Sequence, residues 1–79
     1  MVYGSYPINA MTYDSNTGTY VKKIDISSYG LTEPVWGCAT ACYPSGVVTA
    51  NVHEITSTYI KIGCEINISR CYIDWMVIG

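Results

Sequence analysis

A chain of 79 residues with four basic and six acidic side chains carries a formal net charge of −2, and charged residues make up 13% of it, about half of the roughly 25% usual in soluble domains. Its cations, Lys22, Lys23, Lys61 and Arg70, form no cluster for phosphates, which argues against a nucleic-acid partner. The length suits one domain, residues 1–79, whose small core needs support from disulfides, a metal or self-association.

The opening stretch MVYGSYPINAMTYDS has neither a basic nor an apolar leader region, so synthesis in the cytoplasm without a signal peptide is expected. No apolar run approaches the roughly 20 residues that span a bilayer as a helix, and membrane insertion is not expected. Helical periodicity is almost absent, whereas two-residue alternation recurs. The first predicted strand is 8–13, closed by DSNTG at 14–18, a turn sequence with Gly18 available for positive φ. The second, 19–26, returns from it with Ile24 and Ile26 alternating against Lys23 and Asp25. An irregular SSYGLTEP follows. Pro34 cannot donate to a ladder, so the third strand is placed after it, at 35–43. Pro44-Ser-Gly46 turns the chain into the fourth, 47–55. The fifth, 58–66, has Thr58, Ile60, Ile62, Cys64 and Ile66 on one face and Tyr59, Lys61, Gly63 and Glu65 on the other. A hairpin at Asn67-Ile68 leads into the sixth, 70–78, and would oppose Ile66 to Ser69, Glu65 to Arg70 and Cys64 to Cys71. Six short strands with frequent turns predict a small antiparallel all-β sandwich.

Four cysteines allow three disulfide connectivities. Cys38 and Cys42 on one strand lie about 13 Å apart, too far to bridge. Cys64 and Cys71 in the hairpin would stand about 5.5 Å apart at Cα. Without a secretory signal, free and mostly buried thiols are expected, with one disulfide as the alternative. The C-x3-C and C-x6-C spacings match no zinc site and His53 is the single histidine, so neither metal nor cofactor is expected. His53 falls on the outward face of the fourth strand with Asn51 and Ile55. The carboxylates are scattered singly, and no nucleophile or phosphate-loop motif is present. The chain is not expected to be an enzyme. Its unusual component is tyrosine, eight residues against no phenylalanine. Tyrosine rings stack on sugar faces while Asn, Ser and Thr bond hydroxyls; equally, tyrosine is an ordinary strand residue.

Three stretches carry a resemblance. YVKKIDISSYGLTEPVWGCATA resembles the strand, aromatic and proline-led strand of H-type lectins; VVTANVHEITSTYIKIGCEI resembles their centre; YIDWMVIG resembles their Val-x-Trp-Ile-Ala-Ile-Gly ending. Similar endings occur in C-terminal domains of bacteriophage tail-fibre proteins. The resemblance covers residues 19–79 and implies a six-stranded sandwich assembled as a homotrimer or a multiple of one, with carbohydrate near subunit boundaries. It places the last strand centrally, with Trp36, Ile60, Ile62, Ile73, Trp75 and Val77 in the core or at an interface. Two departures matter: Val47 stands where these lectins carry an arginine, and the loop 65–70 lacks their histidine. The animal-lectin sugar site therefore does not transfer. The implied function is a tail-fibre tip domain, part of a virion tail, that recognises a bacterial surface glycan. Exposed loop and rim positions Tyr13, Asn16, Tyr43, His53, Asn67 and Arg70 are the candidate ligand residues. A trimerisation cap without ligand and a free-standing lectin are the alternatives.

Overall fold

The computed structural model describes residues 1–42, 49–65 and 70–79. It contains seven strands: β1 Val2–Pro7, β2 Thr12–Asp14, β3 Thr19–Asp25, β4 Trp36–Cys42, β5 Ala50–Ile55, β6 Tyr59–Cys64 and β7 Tyr72–Ile78. They form two antiparallel sheets, a three-stranded one in the order β1-β7-β4 and a four-stranded one in the order β2-β3-β6-β5. The all-β architecture agrees with the alternation; the strand count is seven rather than six.

The extra strand is β1. The predicted strand at 8–13 breaks in two, because Ile8–Ala10 is a 3-10 turn and only Thr12–Asp14 is extended. Ile8 is fully buried, its N–H donates to the Cys71 carbonyl at 3.0 Å, and its own carbonyl accepts from Met11. The chain thus crosses from one sheet to the other here, with Ile8 and Met11 plugging the core. The turn at 14–18 forms as expected: Gly18 has φ +70° and donates to the Asp14 carbonyl at 2.8 Å, while Asp14 Oδ1 accepts from the Asn16 amide.

The predicted hairpin between the last two strands is overturned. β6 pairs with β3 and β5, whereas β7 pairs with β1 and β4. Both flanks of each strand are occupied, so Cys64 and Cys71 are not cross-strand neighbours and Glu65 does not oppose Arg70. The turn residues of that hairpin, 66–69, lie outside the described residues. β7 is central in its sheet, as the resemblance implied.

The core lies between the sheets. Ile60, Ile62 and Cys64 of β6 face Ile73, Trp75 and Val77 of β7, joined by Val2, Ile8, Met11, Ile26 and Cys71. Burying each large aliphatic side chain contributes roughly 1.5–3 kcal/mol. Trp75 decides what its neighbours can be. The register sets Gly4 on one side and Ala39 on the other, and a Cβ at Gly4 would stand 2.7 Å from the indole. Ala39, Ala41 and Gly37 are therefore the inward residues of β4, which turns Trp36 outward. Trp36 is 63% exposed, so of the two places expected for it, core or interface, the core is ruled out. At the edge of the sandwich Lys22 shares the inner side of β3 with Ile24, its Nζ 5.5 Å from the centre of the Tyr6 ring.

All four cysteines are free thiols. Cys64 and Cys71 are buried, while Cys38 and Cys42 are exposed on β4. Burial pushes the Cys71 thiol up from its ordinary value, with the neighbouring Cys64 and Cys42 adding to the effect.

Candidate functional site

The outer surface of the four-stranded sheet is built by the residues that alternate against the core. β6 contributes Tyr59, Lys61 and Gly63, and β3 contributes Thr19, Val21, Lys23 and Asp25. On β5 a bulge interrupts the alternation: Val52 pairs with Ile62 and Glu54 with Lys61, which leaves His53 unopposed. Asn51 before the bulge and Glu54 after it both face outward. Ile55, expected on the outward face with His53, points inward instead. It pairs with Ile60, and its Cδ1 comes within 2.7 Å of where a Cβ at Gly37 would stand. The added residue reverses the parity of everything beyond it.

The imidazole of His53 lies over Gly63. A Cβ there would run into Nε2, Cε1 and Cδ2 of the ring, so this glycine makes the room that the half-buried histidine occupies. Around the ring opens a depression of about 540 Å³ lined by Thr17, Asn51, Val52, His53, Glu54 and Lys61. Thr17 comes from the β2–β3 turn, so three separate chain segments meet. Lys61 Nζ stands 3.9 Å from Asp14 Oδ2, and the Tyr59 hydroxyl donates to Glu54 Oε1 at 2.6 Å. That hydrogen bond holds the Tyr59 phenol above its ordinary value and leaves Glu54 Oε2 for another donor. The Lys23 ammonium rests 3.9 Å from the centre of the Tyr59 ring. Beside it, Asp25 accepts from the Ser27 amide at 2.9 Å and the Ser27 hydroxyl at 2.7 Å, which lower its pKa.

The depression gathers an amide, an imidazole, a carboxylate and an ammonium on strand backbone and a hydroxyl from the adjoining turn. These are the donors and acceptors that bind neighbouring hydroxyl groups. No hydroxyl or thiol is hydrogen-bonded to His53 among the described residues, and these residues contain no group of three potential metal ligands.

Of the six expected ligand residues, the structure places His53 in this depression. Asn16 adjoins it in the turn that supplies Thr17. Tyr13 belongs to the opposite side of the sheet, edge-on to Tyr20 with ring centres 5.2 Å apart. Arg70 is exposed at a left-handed position before β7 and does not line the depression. Tyr43 and Asn67 lie outside the described residues. Asn51, Glu54, Lys61 and Thr17 were missed. The alternation of the fifth strand had marked Lys61 as outward, but nothing local identified β5 as the strand beside it. Comparison with models of protein families, with curated proteins and with solved structures finds no match.

Proposed function

We propose that this protein is a non-enzymatic carbohydrate-binding domain that recognises a bacterial surface glycan as the tip of a phage or prophage tail fibre, and that it works as an assembly of copies. The carrying observation is the depression over Gly63, where Asn51, His53, Glu54 and Lys61 present both donors and acceptors. Asn51 would bond two adjacent sugar hydroxyls through its oxygen and nitrogen. Glu54 Oε2 accepts from a third, and Lys61 donates. The imidazole supplies a flat edge for the ring. The resemblance of the closing strand supports the tail-fibre setting, and the ligand site is this chain's own.

The test is titration of the isotope-labelled domain with oligosaccharides released from bacterial surfaces. Amide shifts clustered at 51–54 and 61–63 are expected, as is at least tenfold weaker binding by the Asn51→Ala, Glu54→Gln double variant. Shifts confined to another surface, or full affinity in that variant, would refute the site. A second reading, a cap that assembles a fibre and touches no ligand, draws on the apolar outer surface of the three-stranded sheet.

A further inference from the structure

The outer surface of the three-stranded sheet is unlike the one just described. The register sets Trp36 beside Ile78, Tyr3 and Cys38 on either side of Met76, Ser5 and Thr40 on either side of Asp74, and Pro7 and Cys42 on either side of Tyr72. Tyr3 is 75% exposed, and Tyr72 and Ile78 are each 48% exposed. None of the chain's four cations sits on these three strands. The single charge is Asp74, whose Oδ1 accepts from Ser5 Oγ at 2.8 Å. A shallow depression of about 510 Å³ indents this surface between Tyr3, Ser5, Cys38, Thr40, Asp74 and Met76.

We propose that a second copy of this chain docks on this face, three-stranded sheet against three-stranded sheet, about a two-fold axis that crosses the strands at the Met76 row. Area is the first argument. A fully covered aromatic side chain contributes roughly 150–250 Å², so Tyr3 and Trp36, 75% and 63% exposed, present with Cys38, Met76 and Ile78 on the order of 400–500 Å². A specific interface takes about 800 Å² from each partner, and this apolar stretch supplies roughly half of it, with the polar rows beside it making up the rest.

Polar complementarity is the second. The Trp36 indole N–H and the Tyr3 hydroxyl have no hydrogen-bond partner among the described residues, while Asp74 Oδ2 remains free to accept. The face carries its own donors and its own acceptor. The stated axis exchanges the Trp36–Ile78 row with the Thr40–Asp74 row. Each indole then enters the other copy's depression with its N–H toward the Thr40–Asp74 row, an aromatic anchor in a pocket. The same exchange opposes each Asp74 to the Ile78 row and keeps the two carboxylates roughly 13 Å apart along the strands. Like charges are thereby separated, as an isologous contact requires.

The inference gives the assembly half of the proposed function a surface, and it is independent of the glycan. Its test is light scattering and sedimentation of the full chain in reductant over a dilution series. The wild type is expected to show twice the protomer mass, or an even multiple, and to dissociate on dilution. Trp36→Ser and Tyr3→Ser should each weaken association at least tenfold, with the melting temperature of the diluted protein unchanged. Tyr29→Ser, which removes an exposed aromatic outside this face, should leave association intact. A monomer at high concentration overturns both this inference and the assembly reading. An odd-numbered assembly, or one indifferent to Trp36 and Tyr3, overturns this inference alone. Loss of glycan binding with association intact touches only the ligand site.

Discussion

Ile60 and Ile62 of β6 and Ile73 and Val77 of β7 are all fully buried, yet the residues between them differ in kind. On β6 the outward positions are Tyr59, Lys61 and Gly63; on β7 they are Tyr72, Asp74, Met76 and Ile78. The same separation extends over both sheets. The four-stranded sheet presents Lys23, Asp25, Glu54 and Lys61 to solvent, and the three-stranded sheet presents rings, sulfur and one carboxylate. Inner faces of like composition make one core, while the outer faces differ in composition, and the two proposals assign them to different partners, a hydroxylated ligand on one and a second copy on the other. A domain with few charges can afford this division only by concentrating them on one side.

The comparison breaks most severely if the core is not shared. Ile62→Ala and Ile73→Ala should each cost about 2–5 kcal/mol, because each empties the same interior from opposite sheets. Urea denaturation measures both, and a loss below about 1 kcal/mol in either would mean that its sheet does not depend on the common core.

The two close-approach glycines give a smaller and more telling contrast. Gly4→Ala drives a methyl group against a buried, wedged indole and should cost about 1–3 kcal/mol. Gly63→Ala meets an imidazole that can swing outward, so its effect on stability should be less, and its main consequence should be weakened ligand binding as His53 is displaced. Equal destabilisation by the two would show that His53 is held as rigidly as Trp75.

Smallest are the pH effects, both on the polar side. Hydrogen bonds from Ser27 lower the Asp25 pKa below 3.8. A depressed carboxylate contributes stability above its unfolded value and loses it as pH falls through the folded one. Asp25→Asn should therefore differ from wild type near neutrality and converge with it in acid. Tyr59 behaves oppositely: its bond to Glu54 raises the phenol above 10.0, so that contribution is present below this value and lost as pH rises through the folded pKa. Tyr59→Phe should abolish the alkaline dependence. Carboxyl shifts followed by NMR and phenolate absorbance check the two, and a Tyr59 that titrates at its ordinary value would remove the hydrogen bond from the account.

Much of the β architecture was legible because alternation is a local property. The two faces of β6 and the turn at 14–18 follow from side-chain parity and turn chemistry, while a core or interface place for Ile73, Trp75 and Val77, which are buried, was implied by the resemblance of the closing strand. β1 escaped notice because its inward positions are Val2, Gly4 and Tyr6, a pattern weakened by the glycine that Trp75 requires. Whether Trp36 belongs to the core or to a surface was not legible, since nothing near it in the chain reveals that Trp75 already fills the space opposite β4. The bulge at His53 is likewise silent in the sequence, and it decides that Glu54 reaches the candidate site while Ile55 joins the core.

The sequence by itself determined the all-β class, the parity of its clearest strand and the scarcity of charge, since each depends on residues a few positions apart. Only the tertiary structure decided that β6 and β7 part into different sheets, that Trp36 faces outward, and that Thr17, Asn51 and Lys61 meet around His53. Strand partnership and register are contacts between distant segments, settled by which side chains jointly fill the interior. Local periodicity carries no record of that choice.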